Sequence, residues 1–215
     1  MKFEETAGQN ERPFVRSAQV PARAWPCPDD LNRIMDLLKQ AERPVLIGGH
    51  GVWWSGAEHQ LEAVGHTLNI PIFNIPYHQK LLGEESEVYM GLADLHQYAP
   101  SKFALQKADV ALMVGGRLDN QMNFGNPPFF PEALPLVCIN GSPEELELNR
   151  AADYLLLSDP GAFFEALLAS HTAGELSFDR PWFEENRRQR GLWVEQMQQD
   201  TEQEAAGDPR LHPLQ

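Results

Sequence analysis

Cysteine is scarce in this chain, and positive charge is scarcer than negative. Only Cys27 and Cys138 occur in 215 residues, too few for a disulfide framework. Cys138 lies inside the apolar run "LPLVCIN", which reads as a buried thiol in a reduced, cytoplasmic protein. Lys plus Arg number 17 against 31 Asp plus Glu, a formal net charge of −14 at pH 7. Such a surface repels phosphate backbones and anionic lipid, so neither nucleic acid nor membrane is an expected partner. No apolar segment is long enough to span a bilayer, and no signal-peptide pattern stands at the amino terminus. The expectation is a soluble, cytoplasmic protein.

Catalytic patterns are missing too. The chain has no P-loop, no G-x-S-x-G elbow and no cysteine with an obvious partner base. None of its seven histidines stands three or four residues from another His or Cys, so no metal-ligand spacing occurs. His59 and His66 lie one heptad apart on a helix and read as a partly exposed face. The glycine cluster Gly49-His50-Gly51 is followed by Val52, Trp53, Trp54 and only then Ser55 and Gly56, which is too late for the dinucleotide fingerprint. Its glycines serve either a tight strand-to-helix turn, which the residues favour, or a phosphate seated on the amides before Ser55. No catalytic constellation emerges.

What is present is a core. Apolar residues make up 42% of the chain, and they are periodic. "DDLNRIMDLLKQAER" places Leu31, Ile34, Leu37 and Leu38 on one helical face, with Asp29 or Asp30 as N-cap. Short apolar runs at 44–49, 69–76, 109–116, 134–141 and 153–159 read as buried strands. Between them lie helices: from Ser55, with Ser55 and Glu58 in capping-box spacing and Leu61, Val64 and Leu68 inward; over 101–108; from Ser142-Pro143, with Glu145 completing a second box; and from Asp159-Pro160. Strands alternating with amphipathic helices predict an α/β fold. It is a doubly wound, Rossmann-like parallel sheet of five or six strands, with helices on both faces. Residues 1–28 read as a linker or arm. Residues 172–215 read as one long helix with an apolar stripe of Trp182, Phe183, Trp193 and Met197 that needs a neighbour. Arg117 and Asp119 follow a buried strand at the end where open α/β sheets bind ligands. They form either a loop-stabilising pair or, through Arg117, a phosphate clamp.

In register over 29–171, the chain resembles the central domain of thiamine-diphosphate-dependent enzymes, the group of acetolactate synthase, pyruvate oxidase, oxalyl-CoA decarboxylase and 2-hydroxyacyl-CoA lyase. The segments that carry the resemblance are "RPVLIGGHGVWWSGAEHQLEAVGHTLNIPIF", "YMGLADLH", "ALQKADVALMVGGRLD", "NFGNPP" and "VCINGSPEELELNR". The resemblance implies a parent acting on 2-oxo acids or acyl-CoA derivatives, with thiamine diphosphate and Mg2+ held by two other domains. It implies, too, that other domains or subunits of that parent are partners and that this chain is a middle piece inactive by itself; a homo-oligomer is expected from the uncovered stripe of Trp182, Phe183, Trp193 and Met197. In relatives the central domain sometimes holds FAD or ADP. The matching cofactor-binding positions here are Gly49, His50, Gly51, His96, Arg117, Asn140 and Ser142.

Three departures weaken that grip. Asn140 and Ser142 replace the family's two aspartates after the strand, and Gln97 replaces the glycine after His96. A carboxylate accepts two ribose hydroxyls where an amide oxygen accepts one well. The expectation is weak ADP or CoA binding and no retained FAD. The other readings are a stand-alone module sensing ADP, CoA or FAD and, last, an independent enzyme on this fold.

Overall fold

The computed structural model describes residues 22–76, 80–94, 98–128, 130–146 and 148–207. The expectations for His96, Gln97, residues 1–21 and residues 208–215 lie outside them. Six strands form one parallel sheet: β1 (Pro44–Gly48), β2 (Ile72–Asn74), β3 (Tyr89–Leu92), β4 (Val110–Val114), β5 (Leu136–Asn140) and β6 (Tyr154–Leu157). Their order is β3-β2-β1-β4-β5-β6. β1, β4 and β5 are apolar because both of their faces are covered. Val45, Leu46, Ile47, Val110, Leu112, Val114 and Ile139 are all fully buried.

The helices are α1 (Pro28–Leu38), α2 (His50–Ser55), α3 (Glu58–Leu68), α4 (Ala99–Lys107), α5 (Pro160–Thr172) and α6 (Arg180–Gly207). The β1-to-β2 and β3-to-β4 crossovers step in opposite directions along the sheet. Right-handed connections therefore place α3 and α4 on opposite faces. α5 lies beside α3 and α6 beside α4. Leu61, Val64 and Leu68 turn inward as their spacing predicts.

Four local expectations are corrected. α1 is capped by neither Asp29 nor Asp30: Cys27 is the N-cap, without a side-chain bond, and Pro28 opens the helix. The helix expected to start at Ser55 starts at His50 and stops at Ser55, where Gly56 turns left-handed at φ 63°. A second helix restarts after Ala57 without the Ser55–Glu58 box. The segment after β5 makes only a short 3-10 turn, Pro143–Glu145, and Ser142 makes no capping bond. β3 lies outside the five runs picked out above. It is four residues long, and Gly91 (φ 105°) lets the Tyr98 ring pack over it, with the Tyr98 hydroxyl donating to Met90 O at 2.6 Å.

Candidate functional site

β1 and β4 are neighbours whose crossovers depart in opposite directions, which is where an open α/β sheet forms a crevice beyond its carboxyl ends. Here the crevice holds about 410 Å3. His50, Gly51, Trp54, Gly115, Gly116, Arg117, Asn140 and Glu145 line it. Four of the seven sequence-assigned positions thus meet in one place. Gly49 sits directly beneath, Ser142 lies behind Asn140 outside the lining, and His96 is outside the described residues.

The glycines are there because two backbones touch. A Cβ on Gly49 would stand 2.4 Å from Gly116 Cα, and one on Gly51 would stand 2.7 Å from Gly115 Cα, closer than any side chain tolerates. Gly49 N donates to Val114 O at 2.9 Å and Gly51 N to Gly115 O at 2.7 Å. Gly115, at φ 65°, donates in turn to Ile139 O at 2.8 Å. The amides that a phosphate would need therefore face the neighbouring chain segment. Of the two uses for these glycines, the tight turn is the one the geometry favours.

The polar side chains are likewise committed. Arg117 does not pair with Asp119. Its Nη1 holds Glu145 Oε1 at 3.2 Å, half-exposed at the crevice rim. Asp119 instead caps the following 3-10 turn, accepting from Gln121 N at 2.9 Å. Asn140 donates through Nδ2 to Gly116 O at 3.3 Å and accepts through Oδ1 from Ser142 N at 3.1 Å. Ser142 turns its hydroxyl to Glu144 at 2.6 Å. That bond draws the Glu144 carboxyl below its ordinary range.

Two aromatic rings, His50 and Trp54, also line the crevice. His50 stacks on Trp54 (5.8 Å, 28°) and meets Trp53 edge-on at 5.4 Å. Trp54 is 76% exposed, so one of its faces is available for a planar ligand. Sequence reasoning missed Trp54, Gly115, Gly116 and the pairing role of Glu145. It missed Asn149 and Arg150 as well. Asn149 Nδ2 donates to Leu118 O, and Arg150 donates to four carbonyls between Gly125 and Leu134. Together these two shape the loop after β4. The only available signal was their place in the motif "LELNR".

Residues 31–167 match the thiamine pyrophosphate enzyme central domain. The chain belongs to this family. The probable acetolactate synthase large subunit of Methanocaldococcus jannaschii is 26% identical over 73% of the chain and 26% of its own length. The 2-hydroxyacyl-CoA lyase of Arabidopsis thaliana is 31% identical over 56% of the chain and 20% of its own length. The fold is similar to part of benzoylformate decarboxylase from Polynucleobacter necessarius, with a TM-score of 0.59 at 21% identity over 73% of this chain and 30% of that one. The chain thus spans about a quarter of the length of such relatives. Among the described residues, the crevice does not fit the thiamine cofactor that gives the family its name. Among the described residues no three His, Cys, Asp or Glu are grouped as metal ligands, and the Gly49, Gly51 and Gly115 amides are bound internally. No step of thiamine chemistry is assigned to this central domain.

Proposed function

We propose that the chain is the scaffolding domain of an acetolactate synthase-like, thiamine-diphosphate-dependent parent acting on 2-oxo acids or acyl-CoA derivatives. In this reading residues 29–171 form the central domain, 1–28 an arm and 172–215 a helical linker toward the parent's remaining domains, in a homo-oligomer. The observation that carries it is the crevice: among the described residues the Gly49 and Gly51 amides, the Arg117 guanidinium and the Asn140 side chain, all expected to hold a cofactor, are instead bonded within the domain. A surface satisfied in that way stabilises a fold and leaves little to bind with. The purified chain, given thiamine diphosphate and Mg2+, is expected to turn over no 2-oxo acid or acyl-CoA and to show no flavin absorbance. Turnover of pyruvate or oxalyl-CoA overturns the reading.

A second reading is favoured by one observation, the exposed Trp54 face across the crevice from Arg117. It is a residual adenine-nucleotide site, in which the base stacks on Trp54 and a phosphate draws Arg117 away from Glu145. Such binding is weak, because the ligand must first break an existing ion pair.

A further inference from the structure

α6 runs 28 residues, but the domain covers only its first half. Trp182 and Phe183 are buried, and Trp182 Nε1 donates to Pro44 O at 2.8 Å. Trp193 lies edge-on to Tyr98 at 4.6 Å. On either side of that contact the helix has exposed apolar residues, Leu192 at 49% and Val194 at 37%. An isolated stretch of that length is marginal in water, so the second half of α6 needs cover.

Three features of α6 say what covers it. First, charge is divided along it. Arg180, Arg187, Arg188 and Arg190 outnumber Glu184 and Glu185 in the first half, whereas Glu195, Asp200, Glu202 and Glu204 follow with no Lys or Arg among them. Second, Gly191 sits mid-helix at an exposed position with open space where a Cβ would stand. Glycine weakens a helix, and nothing within the domain uses the gap it leaves. Third, the positions around the gap are symmetric in spacing and opposite in charge: Arg188 precedes Leu192 by four residues, and Glu195 follows Gly191 by four.

We infer that α6 of one chain crosses α6 of a second copy in antiparallel fashion at Gly191–Leu192, with Arg188 of each copy facing Glu195 of the other. The inference rests on the self-association included in the proposed function and adds its surface and register. A two-fold axis there makes both ion pairs at once. The paired glycines let the backbones approach, and each Leu192 covers the other chain's apolar patch. A parallel pairing sets the acidic halves side by side and is disfavoured. Arg188 already holds Glu185 at 2.7 Å, but a guanidinium has five donors. Glu195 makes no hydrogen bond or ion pair among the described residues.

Sedimentation velocity on the full chain over a concentration series tests this. A monomer–dimer equilibrium is expected, weakening as salt rises. Glu195→Arg or Arg188→Glu alone places like charges together and is expected to weaken the dimer about tenfold. The double variant Arg188→Glu/Glu195→Arg restores it. Gly191→Lys, a better helix former, is expected to keep helix content and melting temperature while abolishing the dimer, which separates association from folding. A monomer at all concentrations overturns both this pairing and self-association. A dimer indifferent to all four variants overturns the α6 pairing alone and leaves self-association through another face. A double variant as weak as the singles overturns the antiparallel register.

Discussion

Arg150 does at the residue scale what its neighbours cannot. Its Nη1 donates to Gly125 O and Pro131 O, its Nη2 to Glu132 O and Leu134 O, all at 3.0–3.1 Å. The guanidinium lies 4.8 Å over the buried Phe130 ring. One planar fork thus closes a loop whose carbonyls have few other donors. Arg150→Ala is expected to cost about 3 kcal/mol, lowering the melting temperature by roughly 6–12 °C. Arg150→Lys, with one ammonium for four acceptors, recovers less than half. A loss below about 1 kcal/mol in urea titration counts against that role. Arg117 is the converse case, an exposed pair worth little. Calorimetry with ADP is expected to give Glu145→Gln a roughly two- to fivefold tighter affinity. Arg117→Ala should be about tenfold weaker. Asn140→Asp, which sequence alone nominates to restore the grip, sets a carboxylate against Gly116 O and is expected to loosen the turn instead. If ADP affinity ignores Glu145→Gln and Arg117→Ala alike, the crevice is not a nucleotide site.

At the scale of elements, one junction shows which caps are readable. Asp159 caps α5 as its spacing predicts, accepting from Ala162 N at 3.1 Å. That contact is local, and local chemistry can be read from three residues. Ser55 reads as a cap by the same pattern, yet its hydroxyl donates to Asp159 Oδ1 at 2.9 Å and accepts from Gly161 N at 3.2 Å, more than a hundred residues away. Gly56 ends α2 before any box forms, which frees Ser55 to tie α2 to α5. Arg23 joins the junction, 3.9 Å from Asp159 and donating to Ser55 O at 3.2 Å. Asp159→Ala is expected to cost about 1–2 kcal/mol and Ser55→Ala about 1. Because the two share one hydrogen bond, the double variant should cost less than their sum. Strict additivity in a double-mutant cycle contradicts the network. The apolar stripe of α6 is partly misread from sequence for a related reason. Trp182, Phe183 and Trp193 are already covered, so Leu192 and Val194 carry the exposed apolar surface.

At the scale of the whole molecule, burial sets the alkaline limit. The Cys138 thiol is pushed up to about 12 by burial. The Tyr89 hydroxyl is pushed up to about 12 by burial and then by Glu84. Tyr98 is raised further for the same chief reason. A group whose pKa is raised on folding contributes stability that is complete below its unfolded value, 9.0 for the thiol and 10.0 for the phenol. That contribution disappears as pH rises through the folded value. The urea midpoint is therefore expected to hold to about pH 9 and fall steadily above it, with Cys138→Ala removing part of the slope. At pH 8 a thiol reagent should modify exposed Cys27 quickly and buried Cys138 only on unfolding. A midpoint that stays flat to pH 11, or two fast thiols, contradicts this picture.

The sequence by itself determined the class of fold, because strand and helix periodicity, apolar runs and glycine turns are local properties that any right-handed parallel sheet must satisfy. It determined the family for the same reason: the motifs are contiguous stretches. Whether the crevice is open for a ligand was decided only by tertiary structure. The fate of the Gly49 and Gly51 amides depends on Val114 and Gly115, and that of Arg117 on Glu145, partners brought close only when β1, β4 and β5 align. Hydrogen-bond satisfaction is a property of pairs, and the distant member of a pair is invisible to a reading that moves along the chain.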